Sequence, residues 1–93
     1  MQTQTVTIRC KDGLNCNDVI YLIQKANEFK SQIKLEYQNI SVNAKSLLSV
    51  GSLNINQETQ LTVSADGPDE TEAVKSLSDF LSALRSGKKE TIL

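Results

Sequence analysis

Ile33-Lys34-Leu35-Glu36-Tyr37-Gln38-Asn39-Ile40-Ser41-Val42 decides the architecture. Apolar and polar residues alternate on both sides of Gln38-Asn39, so each half reads as a strand with one buried face and the two together as a hairpin. Moving outward, the period changes. Between Asn17 and Lys30 the apolar residues are Val19, Leu22, Ile23, Ala26 and Phe29, which is helical spacing, with Asn15 or Asn17 as the expected cap. Before that helix, Thr5-Val6-Thr7-Ile8-Arg9-Cys10 alternates again until Asp12-Gly13 breaks it. After the hairpin, Ser46 to Leu53 reads as a short helix with Val50 and Leu53 on its inner side. Gln60 to Ala65 is a fourth strand, closed by Asp66-Gly67-Pro68. Asp69 is expected to cap a last helix and to form a capping box with Glu72. The apolar stripe of that helix is Val74, Leu77, Phe80, Leu81 and Leu84. The order β-α-β-β-α-β-α makes a two-layer α+β domain.

A chain of 93 residues has room for one such domain. It is placed at residues 1–85, followed by a flexible C-terminal tail at 86–93 where the sequence turns polar. Ten basic and eleven acidic residues give a net charge of −1. No block of five like charges occurs, so there is no electrostatic footprint for nucleic acid or for an acidic membrane. No apolar run approaches the roughly 18 residues of a spanning helix, and Met1-Gln2-Thr3-Gln4-Thr5 has no signal-peptide character. With only two cysteines, Cys10 and Cys16, the thiols are expected to be reduced and the location cytoplasmic. No cofactor and no metal are expected.

Val42-Asn43-Ala44-Lys45-Ser46-Leu47-Leu48, together with Asp12-Gly13-Leu14, Leu35-Glu36-Tyr37, Val50, Ser52-Leu53 and Ala65-Asp66-Gly67, resembles HPr. HPr is the histidine-containing phosphocarrier of the bacterial phosphoenolpyruvate-dependent sugar phosphotransferase system. The resemblance runs over about residues 3–84. It implies an open-faced sandwich with an antiparallel sheet in the order 1-4-2-3 and all helices on one face. It also implies a phosphoacceptor motif, Gly-x-His-x-Arg-Pro. Here that motif reads Gly13-Leu14-Asn15-Cys16-Asn17-Asp18, and the chain contains no histidine at all.

Each departure has a chemical consequence. An imidazole nitrogen has an in-plane lone pair free to attack phosphorus, whereas the amide nitrogen of Asn15 has its lone pair delocalised into the carbonyl. Asn17 lacks the planar multi-donor head of arginine. Asp18 brings a negative charge to a helix N-terminus where phosphate would otherwise be favoured. The site Asn15, Asn17, Asp18 therefore reads as degenerate, and the chain as non-enzymatic. Relocation of the acceptor to Cys16 or Asp18 is the alternative, as is a paralogue that docks enzyme I without accepting phosphate.

Ser46 matches the family's regulatory serine, which an ATP-dependent kinase phosphorylates in Gram-positive relatives; read without the family, it caps the short helix. Lys45 and Leu47-Leu48 agree with the family pattern around that serine, while Ser49 and Gly51 depart from it. Helical geometry turns Ile20, Tyr21 and Leu48 away from the core, with Leu47 borderline, and the family fold sets these faces side by side as one apolar patch. The resemblance implies protein partners there: enzyme I, the HPr serine kinase or a LacI-type transcription factor. The expected function is a non-catalytic regulatory module, similar to the catabolite-repression branch of the family that also lacks the acceptor histidine.

Overall fold

The alternating stretches pair as four antiparallel strands in a computed structural model of the chain, which describes residues 1–9, 14, 16–53, 55 and 58–84. In chain order the elements are β1 (Gln2–Ile8), α1 (Cys16–Ala26), β2 (Gln32–Tyr37), β3 (Ile40–Asn43), α2 (Leu47–Gly51), β4 (Thr59–Asp66) and α3 (Glu70–Ala83). The sheet order is β1-β4-β2-β3. Registers such as Val6 opposite Leu61 and Leu35 opposite Val63 align the apolar residues of neighbouring strands on one face. Val6, Ile8, Ile33, Leu35, Leu61 and Val63 are all buried there. Leu22 and Ala26 of α1, Val50 of α2 and Val74, Leu77 and Leu81 of α3 close over them. The other face carries hydroxyls, with Thr5 and Thr62 Oγ1 3.1 Å apart. The fold is α+β, in the order expected.

Gln38 (φ 49°) and Asn39 (φ 71°) both lie in the left-handed region. This is the type I′ pattern, in which positive φ at both positions of a two-residue connection, here between Tyr37 and Ile40, matches the twist of the flanking strands.

Three expectations at helix ends are corrected. Asn17 is not the cap of α1, because the helix already includes Cys16 and leaves Asn17 in its first turn; Asn15 lies outside the described residues. That helix also stops at Ala26 rather than running to Lys30. The side-chain amide of Asn27 donates to the Ile23 carbonyl at 2.9 Å, and the next amides, of Glu28 and Phe29, reach back only three residues. A short polar side chain that competes for a helical carbonyl in this way ends the regular ladder. Thirdly, Asp69 occupies the N-cap position of α3 but makes no side-chain bond to it. Its carboxylate turns instead to the loop after α1, accepting from the backbone N–H of Lys30 and of Ser31, each at 2.9 Å, and from the Ser31 hydroxyl. The Asp69–Glu72 capping box is therefore not formed; Glu70 accepts from the Gly67 N–H at 3.1 Å in its neighbourhood. The expected tail at 86–93 lies outside the described residues.

The donors around Asp69, the Ser31 hydroxyl first and the Lys30 amide second, hold its carboxyl down to about 2. Because the folded value lies below the unfolded one, this stabilisation is complete above about pH 4 and is lost as pH falls toward 2. Thermal unfolding measured from pH 6 down to pH 2 should therefore show the melting temperature falling in that window. Asp69→Asn should lie lower at pH 6 and show a shallower fall; an unchanged slope in the variant would mean other carboxylates carry the acid sensitivity.

Candidate functional site

The site is assembled where the start of α1 meets α2. Leu14 donates its N–H to the Ile55 carbonyl at 3.0 Å, which pins the entry of α1 to the segment that follows α2. Ile55 is buried beneath this contact, a core position that the periodicity did not single out. Of the three positions that the sequence resemblance reads as a degenerate acceptor site, Asn17 is exposed and Asp18 half-buried, both in the first turn of α1. The carboxylate of Asp18 sits at the positive end of the helix dipole, the place a phosphoryl group would use. Asn15, Cys10 and the side chain of Cys16 lie outside the described residues.

Ser46 occupies the N-cap of α2 with extended backbone (φ −108°, ψ 119°), and its Oγ accepts from the Ser49 N–H at 3.3 Å. The turn leading to it is built by Asn43, whose Oδ1 accepts from the Lys45 N–H at 2.8 Å and whose carbonyl accepts from the Ser46 N–H at 3.2 Å. Lys45, adjacent in sequence, sends its ammonium elsewhere: Nζ donates to the Phe29 carbonyl at 2.7 Å, in the turn after α1. In the sequence this residue only agrees with the family pattern around the serine. Here it is a strap between two loops.

All four apolar residues of the expected patch reach solvent. Ile20 is 40% exposed, Tyr21 48%, Leu47 54% and Leu48 86%. They share helices that pack on each other, because Leu22 and Ala26 of α1 and Val50 of α2 are the residues spent on the core. Tyr21 has a further tie that the periodicity could not reveal. Its ring lies 4.8 Å from that of Phe80 on α3, tilted by 55°, with Lys25 Nζ 5.4 Å from its centroid. Phe80 is thus only half-buried, serving as a rim residue rather than a core one.

A family model described as the PTS HPr component phosphorylation site matches residues 2–83. The chain belongs to the HPr family. Solved structures agree. HPr-C-His from Thermoanaerobacter tengcongensis is 38% identical, with 89% of this chain and 93% of that one covered at a TM-score of 0.84. Phosphocarrier protein HPr from Bacillus anthracis is 30% identical, covering 86% and 95% at a TM-score of 0.81. Crh, the catabolite repression containing protein of Bacillus subtilis, is 36% identical, covering 90% and 99% at a TM-score of 0.69. This HPr-like chain is accordingly a member of a phosphocarrier family that works with protein partners in the phosphotransferase system. Among its described residues no helix is long and apolar enough to cross a membrane.

Proposed function

We propose that this HPr-like chain is a non-catalytic regulatory module of the phosphotransferase system, which docks protein partners and is switched by phosphorylation of Ser46. One observation carries the reading: a chain that matches the family's phosphorylation-site model over residues 2–83 contains no histidine. The acceptor position is read as Asn15, and Asn17 and Asp18 in the first turn of α1 replace a phosphate clamp with an amide and a repelling carboxylate. What remains is a binding surface, Ile20, Tyr21, Leu47 and Leu48, beside a serine in cap position. The partner classes the family supplies are the HPr serine kinase, a LacI-type transcription factor and enzyme I.

Ser46 is suited to a switch because its modification need not unfold anything. A phosphoserine adds about −1.5 to −2 charges at the end of a helix that favours anions, next to two exposed leucines. With Lys45 committed to Phe29, that charge is left for a partner's cations. The test is treatment with an HPr serine kinase and ATP, with the phosphate located by mass spectrometry. Incorporation at Ser46 is expected; none would reduce Ser46 to a cap. In the cap role its bond is long, so Ser46→Ala should cost only about 0.5–1 kcal/mol in denaturant unfolding.

Docking has its own test. Leu48 is nearly fully exposed, so Leu48→Glu should change stability by less than about 0.5 kcal/mol. In a titration of the phosphorylated chain against a LacI-type factor, the same variant should abolish binding. A large fall in melting temperature, or unchanged binding, would remove Leu48 from the interface.

A further inference from the structure

The geometry points to a binding site for a phosphate monoester on the open face of the sheet, where β2 begins and β3 ends. Ile33 and Leu35 are buried, so Gln32, Lys34 and Glu36 turn to the other face. On β3, Asn43 stands opposite Lys34. The ladder runs one residue further, because Ala44 donates its N–H to the Ile33 carbonyl at 2.9 Å, and this sets Lys45 beside Gln32. Two lysines and two amides thus alternate at the corners of a square across two strands. Together with Ile33 they line a groove of about 230 Å³. Lys34 and Lys45 are diagonal neighbours, roughly 7–8 Å apart at the backbone and within reach of each other's long side chains.

Neither lysine is ion-paired among the described residues. Lys45 Nζ is placed by the Phe29 carbonyl at 2.7 Å, a neutral acceptor that fixes the ammonium and leaves its charge and its other N–H donors available. No carboxylate lines the groove. Of those the strands carry on this face, Asp66 lies across from Gln32 on β4 and Glu36 two residues along β2. Two ammoniums so placed repel each other, and an anion between them turns that repulsion into two attractions. Asn43 spends its Oδ1 on the Lys45 N–H, which leaves its amide nitrogen as a donor. Donors that close in from four corners suit a tetrahedral phosphate, whose oxygens point in several directions. A flat carboxylate, with two oxygens in one plane, meets fewer of them. Gln32, Lys34 and Asn43 are exposed, so the groove is open above and the organic part of an ester stays in solvent.

This groove lies on the layer opposite Ile20, Tyr21, Leu47 and Leu48, and phosphorylation of Ser46 plays no part in its test. The unmodified chain is titrated with inorganic phosphate at constant ionic strength and followed by NMR. Backbone amides of residues 32–34 and 43–45 should shift and saturate, with a Kd on the order of 1–10 mM for two exposed charges. Glycerol phosphate should bind as well as inorganic phosphate, and succinate at least about fivefold more weakly. Lys34→Gln should weaken phosphate at least about fivefold and Lys34→Arg should keep it, with thermal unfolding unchanged in both. Lys45→Gln should weaken it too, but it also removes the strap to Phe29, so the two Lys34 variants decide. Shifts that never saturate, that centre on Asn17 and Asp18, or that persist in Lys34→Gln overturn the inference. So does succinate bound as tightly as phosphate, or glycerol phosphate that does not bind.

Discussion

Incubated with enzyme I and phosphoenolpyruvate, this chain should remain unphosphorylated, whereas a histidine-bearing HPr in the same tube should be fully labelled. The expectation rests on the nucleophile first. Phosphoryl transfer to a carrier needs a nucleophilic lone pair on the acceptor; the asparagine amide nitrogen has its pair delocalised into the carbonyl, and a neutral amide oxygen is a poor nucleophile. It rests second on the surroundings. Asn17 offers fewer and weaker donors than a guanidinium, and the Asp18 carboxylate stands at the helix end where the incoming dianion would settle. These two effects can be separated. Asn15→His alone should stay at least about a hundredfold slower than the triple variant Asn15→His/Asn17→Arg/Asp18→Pro, since removing one positioned donor of this kind costs about 10²–10³ in rate. The readout is acid-labile label on the protein. Label on the unmodified chain would point to a relocated acceptor, and fast transfer by the single variant would show that Asn17 and Asp18 scarcely matter.

The second large effect is on folding. Gly67 lies in the turn before α3, and a Cβ placed on it would come within 2.6 Å of Ser31 Cα, 2.7 Å of its Oγ and 2.9 Å of its Cβ. Two of these atoms cannot rotate away. The Ser31 hydroxyl and N–H are bound to Asp69, and Gly67 donates its own N–H to Glu70, so moving either strand of the contact breaks bonds that join the α1–β2 loop to α3. Gly67→Ala should therefore destabilise by about 1–3 kcal/mol from overpacking, with the broken bonds adding to it. Gly51→Ala is the internal control. Nothing lies within 4 Å of the added carbon there, and alanine in place of a helical glycine should be neutral or stabilising by up to about 1 kcal/mol. Denaturant midpoints for the two variants should move in opposite directions; a Gly67→Ala protein as stable as the parent would mean that the turn relaxes freely.

These two glycines show where a sequence stops being informative. Asp66-Gly67-Pro68 reads plainly as a turn, but that its glycine is needed for Ser31, far away along the chain, depends on how two loops meet. Asp69 repeats the point. Followed by Glu72 it has every local mark of a capping box, yet its carboxylate found three donors in the loop after α1 that were better placed than the amides of its own helix. Lys45 is a third case, a cation beside Ser46 whose ammonium is used by Phe29. In each, the side chain had several possible partners, and spacing along the chain does not rank them.

By itself the sequence determined what depends on period and on chemical identity. Alternation at Ile33–Tyr37 and at Val6 and Ile8 placed the strands and their buried face, because successive side chains of a strand point to opposite sides. Helical spacing likewise set Ile20, Tyr21 and Leu48 outward, and left Leu47 borderline where the structure exposes it. The absence of histidine requires no coordinates. Tertiary structure alone decided the end of α1 at Ala26, the burial of Ile55, the tilted ring contact of Tyr21 with Phe80 and the partners of Asp69 and Lys45. Burial of a periodic face follows from the hydrophobic effect, which is non-directional and needs only the pattern. Hydrogen bonds and ring contacts are short and directional, so they are fixed only when packing has set distant segments side by side.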